Sequence, residues 1–175
     1  MSKASLRRTP RASKALAWLV LSVCLGLDHA QAQTWRATVV HVTDGDTVYV
    51  RGSHEQQAVP VRLQGIDAPE ICQAGGEASR EALQALVGQQ TVTLVGSGHD
   101  SYGRELARLY WQGQDVGRWM VAQGHAWSYR LGQDPGPYLQ EQRQAQAARR
   151  GLFAQDRPEQ PRQFRQRHGS CKPGG

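Results

Sequence analysis

No stretch of this sequence is apolar for long enough to cross a bilayer comfortably. The longest apolar run, Ala15 to Leu27, has 13 residues, and a spanning helix needs roughly 20. A mean hydropathy of −0.60 excludes a multispan membrane protein. Cysteine is scarce, with three in the whole chain. No internal repeat is visible. At 175 residues, the length rules out a large multidomain machine and allows one domain. What is present fits an ordinary globular chain: 39% hydrophobic and 21% charged residues, with 19 Gly and 8 Pro to supply turns.

The first thirty residues carry their own pattern. Lys3, Arg7, Arg8, Arg11 and Lys14 make a positive segment ahead of the apolar run. Ala30-Gln31-Ala32 then puts small residues at the two positions a signal peptidase reads. Residues 1–32 therefore read as a secretory signal cleaved before Gln33, and the expected location is periplasmic or secreted. An uncleaved anchor is the alternative, disfavoured by the short run and the cleavage site behind it. No stable membrane association is expected after cleavage.

That leader distorts the charge. The whole chain has formal net charge +6 and a pI of about 9.7, which suggests a basic nucleic-acid binder. Without residues 1–32 there are 16 bases against 14 acids, a net charge of +2. Residues 149–175 hold seven bases against two acids, whereas residues 33–148 hold nine against twelve. An acidic body with a basic tail points to a cation site plus an anionic partner, not to a plain electrostatic DNA-binding surface. Cys24 leaves with the signal. Cys72 and Cys171 remain, an even number in an oxidising compartment, and are expected to pair. Two free or intermolecularly paired thiols are the alternative.

Short β-prone runs alternate with turns through the first half. Strands are expected at Arg36–Thr43, Thr47–Val50, Val59–Ile66, Thr91–Val95 and Leu106–Trp111. Helices are expected at Glu77–Val87, at Asp115–Gln123 with Asp115 as N-cap and Gly124 as C-cap, and at Leu139–Arg150. The fold class is α+β, mainly β: a five-stranded OB-fold-type barrel with about three helices. The barrel domain occupies residues 33–155. Residues 156–175, with Pro158, Pro161 and Pro173 amid Arg and Gln, read as an extended basic tail. Its Arg162, Arg165 and Arg167 are either solvated or add salt-dependent affinity for nucleic acid.

Three segments concentrate chemistry. Asp44-Gly45-Asp46-Thr47 sets two carboxylates around a turn, which suits a hard, oxygen-ligated cation, although Asp-Gly in a hairpin is also ordinary turn chemistry. Arg62-Leu63-Gln64-Gly65-Ile66-Asp67-Ala68-Pro69-Glu70 ends a strand in a turn that presents Asp67, the Ala68 carbonyl and Glu70 together. Asp100-Ser101-Tyr102-Gly103-Arg104 displays a tyrosine and an arginine before the fifth strand. Each segment alone is better read as turns and solvated charges.

In order and spacing, the three, with Gly151-Leu152-Phe153 behind them, resemble the staphylococcal-nuclease-like (thermonuclease) family over about residues 36–165. The resemblance implies an OB-type barrel that uses one Ca²⁺ to hydrolyse phosphodiester bonds of DNA and RNA with little sequence preference, as a monomer. It implies that Asp46 and Asp67 ligate Ca²⁺ through carboxylates, Ala68 through its backbone carbonyl, and Asp44 through water. Glu70 would position or deprotonate the attacking water, and Arg62 and Arg104 would hold the scissile phosphate. Tyr102 would bind substrate; Trp127 and Tyr129 would stack on it or else belong to the core. Relatives commonly carry Lys where Ser101 stands, so that contact is absent here. If paired, Cys72 and Cys171 would tether the loop carrying Glu70.

These residue types answer a physical need. A phosphodiester is anionic and repels hydroxide, so a cation and guanidinium groups must neutralise it. The planar fork of Arg donates two parallel hydrogen bonds to phosphate oxygens, which Lys cannot. With no His or Cys in the three segments, the donor set favours Ca²⁺ over Zn²⁺. Removing either arginine is expected to cost chemistry more than folding. A catalytically silent OB-type nucleic-acid-binding module is the alternative, and a Ca²⁺-stabilised structural domain a third; neither accounts for Arg62, Arg104 and Tyr102 together.

Overall fold

The computed structural model describes residues 33–129 and 132–171. The expected secretory signal and its cleavage site fall on residues 1–32, outside the described residues. Among the described residues no helix is long and apolar enough to cross a membrane.

Eight strands and four helices follow one another: β1 (Thr34–Val42), β2 (Thr47–Gly52), β3 (Val59–Leu63), β4 (Ile66–Asp67), α1 (Gly76–Val87), β5 (Thr91–His99), β6 (Glu105–Trp111), β7 (Gln114–Asp115), α2 (Val116–Ala122), β8 (Trp127–Ser128), α3 (Leu139–Ala147) and α4 (Pro161–His168). A 3-10 turn, Gly151–Ala154, separates α3 from α4. β3, β2, β1, β5 and β6 lie side by side and antiparallel, and β3 then pairs with β6 in parallel, which closes a five-stranded barrel. This is the OB-type barrel read from the sequence, mainly β, with one helix more than expected.

Closure needs strands that bend, and β1 shows how. Ala37 and Val39 point inward, but a bulge between Val39 and His41 shifts the alternation so that Val42 is the next buried residue. Such a bulge bends the strand and sharpens its twist. A second irregularity lies between Gly96 and Gly98 on β5. Inside, Val48, Val50, Val61, Leu94 and Leu109 meet Leu83 and Val87 of α1 and Met120 of α2. The cap expected at α2 is present: the Asp115 carboxylate accepts the Arg118 amide at 3.0 Å, satisfying one of the orphan donors of the first turn.

Gly151-Leu152-Phe153 forms a second, smaller core with Trp127 and Ala145. The Phe153 ring meets Trp127 edge-on at 4.8 Å. Gly124 and Gly151 allow this docking, because a Cβ on Gly124 would lie 2.2 Å from the Arg150 carbonyl oxygen and one on Gly151 would lie 2.5 Å from that of Gly124.

The tail departs from expectation. It is not extended throughout but contains α4. Pro161 begins the helix at its first turn, where a missing N–H costs nothing. Only Phe164 and the half-buried stem of Arg165 follow Pro161 inward, so there was no apolar period to read. Cys72 and Cys171 are bonded, as expected, with Cα atoms 5.9 Å apart.

Candidate active site

The turn between β1 and β2 is built by its own side chains. Asp44 Oδ1 accepts the Asp46 amide at 2.9 Å, an Asx turn that aims the Asp46 carboxylate inward. Gly45 is there for space: its φ is not positive, but a Cβ would lie 1.9 Å from Ser79 Oγ on α1 and 2.7 Å from Ala68 Cβ. Only a glycine lets the acidic turn pack this closely against the segment carrying Asp67.

Asp46 and Asp67 are nearly buried, 5% and 6% exposed. The Ala68 amide donates to Asp46 Oδ2 at 2.6 Å. Thr47 Oγ1 donates to Asp46 Oδ1 at 3.2 Å. Asp67 lies on β4, which pairs with β8 so that Asp67 faces Trp127 in the ladder. Arg62 on β3 bridges the two acids, with Nη1 against Asp46 Oδ2 and Nη2 at 3.2 Å from Asp67 Oδ1. Burial works against its charge, but Asp46, Asp67 and Asp44 together hold the Arg62 guanidinium above its usual value. Asp44 is pushed up to about 8, first by burial and then by the neighbouring Asp46 carboxylate.

Arg104 enters from the loop before β6. Asp100 organises that loop by accepting the amides of Tyr102 and Arg104 at 2.9 and 3.0 Å and the Arg104 Nε at 2.7 Å. Arg104 Nη1 then reaches Thr47 Oγ1 at 3.3 Å, which joins it to Asp46 through the threonine hydroxyl. Tyr102 is 81% exposed, with the Arg104 guanidinium 5.4 Å from its ring centre. A cleft of about 210 Å³ opens beside Asp67, and Trp127, Tyr129, Gln142, Pro161 and Arg162 line it. Tyr129 is 42% exposed there, whereas Trp127 is nearly buried and serves the smaller core as well.

Glu70 lies past Pro69, its amide donating to Gln73 Oε1 at 3.2 Å. Arg165 of α4, read from the sequence only as part of a basic tail, also enters this centre. Its Nη1 donates to Asp67 Oδ1 at 3.1 Å and to Glu70 Oε1 at 3.0 Å, and its Nη2 donates to Asp67 Oδ2 at 3.2 Å. Burial opposes the Arg165 charge, but these hydrogen bonds and both carboxylates raise its pKa well above the ordinary value. The cysteines were the one signal that could have located it, since a Cys72–Cys171 bridge brings the segment six residues before Cys171 towards Glu70.

The structure thus brings Asp44, Asp46, Arg62, Asp67, Ala68 and Glu70 together, connects Arg104 through Thr47, and leaves Tyr102 on an exposed loop. Among the described residues, no three His, Cys, Asp or Glu side chains converge as a ready cation cage. The carboxylates are turned onto guanidinium groups instead.

The sequence model of the family described as "Staphylococcal nuclease homologue" matches residues 60–155. An "Uncharacterized endonuclease" of Haemophilus influenzae is 41% identical over 155 residues, covering 87% of this chain and 82% of that protein. "Protein ParB" of Escherichia coli is 36% identical over 176 residues, covering 94% and 95%. The "Probable staphylococcal-like nuclease CAN2" of Oryza sativa subsp. japonica is 34% identical over 105 residues, covering 60% of this chain but 28% of the rice protein.

Proposed function

The chain belongs to the staphylococcal nuclease homologue family, and from that premise we propose that it is a calcium-dependent nuclease hydrolysing phosphodiester bonds of DNA and RNA with little sequence preference. The observation that carries this reading is the meeting of Asp46 and Asp67 on Arg62 and of Asp67 and Glu70 on Arg165, with Arg104 linked in through Thr47. The leader pattern and the disulfide support a secreted or periplasmic protein. The proposed working form is a monomer.

The residues fit a hard divalent cation, because every donor on offer is a carboxylate or carbonyl oxygen and the Asp46 and Asp67 carboxylates already share one cationic group, Arg62. Asp46 and Asp67 would hold Ca²⁺ with the Ala68 carbonyl, and Asp44 would act through water. Bound there, the ion would offset phosphate charge and make a water more acidic. Arg62 and Arg104 hold the phosphodiester from two sides and stabilise charge growing on its oxygens. Glu70 orients the attacking water and takes its proton, a contribution of about 10²–10⁴-fold. Tyr102 donates to phosphate, and the Tyr129 side of the cleft offers a ring on which an unstacked base can lie, with Trp127 as its floor. Contacts dominated by phosphate give little base discrimination.

Digestion of plasmid and single-stranded DNA with calcium, and with EGTA instead, tests this. Cleavage is expected only with calcium, and Glu70→Gln should retain DNA binding while losing about two to four orders of magnitude in rate. DNA bound but left intact in calcium by the folded wild type would establish the silent binding module instead.

A further inference from the structure

Three anions, Asp46, Asp67 and Glu70, share two guanidinium groups. Arg62 comes from within the barrel. Arg165 comes from a helix that has little else to hold it: α4 buries only Pro161 fully, and eight residues are too few for a helix to be stable alone. Both ends of α4 are fastened to the one loop that carries Glu70. Gln73 Nε2 donates to the Glu159 carbonyl at 2.8 Å just before the helix. The Cys72–Cys171 bridge closes behind it, and the Cys72 amide donates to Cys171 Sγ at 3.1 Å. Between these anchors Arg165 covers both Asp67 oxygens and one of Glu70.

We propose that Arg165 is an internal counter-cation that competes with the divalent cation for Asp67, and that the Cys72–Cys171 bridge sets how strongly it competes. This rests on the reading of Asp46 and Asp67 as cation ligands. Asp67 Oδ1 accepts from both Arg62 and Arg165 and Oδ2 accepts from Arg165, which leaves one of its roughly four acceptor sites for a metal. A divalent cation adds its charge beside two guanidinium groups that already share Asp67, and Arg165, 30% exposed against 14% for Arg62, is the one with water to move into. Cation entry therefore drives Arg165 out, and the weakly packed α4 moves with it, which opens the wall of the cleft formed by Pro161 and Arg162. The bridge keeps Arg165 at high local concentration, and reducing it lowers that concentration. Nothing covalent changes when the two cations exchange.

The test is calcium binding without nucleic acid, by calorimetry or by terbium luminescence competed with calcium, on the full mature chain. Arg165→Gln should bind calcium about tenfold more tightly than the oxidised wild type, the gain expected on removing a competing charge-assisted contact. Arg165→Lys, which cannot cover both carboxylates, should fall between them. The Cys72→Ser/Cys171→Ser protein should also bind several-fold more tightly. In the unmutated protein, calcium should speed amide exchange across residues 161–168. Equal affinities in wild type and Arg165→Gln would overturn the proposal, as would slower exchange in α4 on adding calcium. Lack of calcium binding by every one of these folded proteins would overturn the cation site itself, a distinct result.

Discussion

Arg62 and Arg104 look interchangeable in sequence, as two guanidinium groups waiting for a phosphate, but the structure separates them. The Arg62 side chain is 14% exposed and lies between two nearly buried carboxylates. Removing it strands both acids, and a broken buried ion pair costs several kcal/mol. We predict that Arg62→Ala lowers unfolding stability by about 3 kcal/mol in metal-free buffer, in addition to abolishing cleavage. Arg104 is 29% exposed and bonded to Asp100; Arg104→Ala should cost under about 1 kcal/mol while still losing activity. Urea titrations of the two variants beside the wild type read the difference. His125 carries a pH effect of its own. Burial lowers its pKa, and its ring stacks on Trp119 at 5.8 Å. The unfolded chain therefore binds the proton more readily than the folded one, so stability falls as pH drops below about 6.5. In His125→Gln, the slope of stability against pH between about 5 and 7 should be flatter; an unchanged slope would assign the effect elsewhere.

Elements were legible to different degrees, and the reasons are physical. The five barrel strands show in sequence because alternating burial leaves alternating residue types, as along Val59–Leu63. α2 shows because Asp115 caps it. α4 does not show, because it is placed by an ion pair and a disulfide more than by an apolar face. The Asp44–Thr47 turn is an intermediate case. Its acids are readable, but Gly45 invites an explanation by turn geometry when its actual constraint is the approach of α1 and Ala68. We predict that Gly45→Ala displaces this turn, costing about 1–3 kcal/mol from overpacking and most of the activity. Ser79, whose hydroxyl donates to the His125 carbonyl at 2.6 Å, has no room to yield. Thermal unfolding and cleavage assays on that variant check both effects, and a fully active, equally stable protein would remove close approach as the reason for the glycine.

For the molecule as a whole, one bond ties the last of the described residues to the loop that carries Glu70. Cys72 and Cys171 are 99 residues apart in sequence, so their link restricts most of the unfolded chain and stabilises the fold by up to roughly 4–5 kcal/mol in the chain-entropy model. Reduction should therefore lower the denaturation midpoint markedly in urea, read against the Cys72→Ser/Cys171→Ser protein as reference. The same bond changes the meaning of the charge pattern. The acidic body and basic tail, separate in sequence, neutralise each other locally through Arg165 on Asp67 and Glu70. Strand periods were enough to read the barrel, because they are local, and the order and spacing of three short motifs, through their resemblance to the family, singled out Asp46, Arg62, Asp67, Glu70 and Arg104. Which cation faces Asp67, why Gly45 must be glycine, and whether Trp127 belongs to core or cleft depend on distances between segments far apart in sequence, and those distances exist only once the chain has packed.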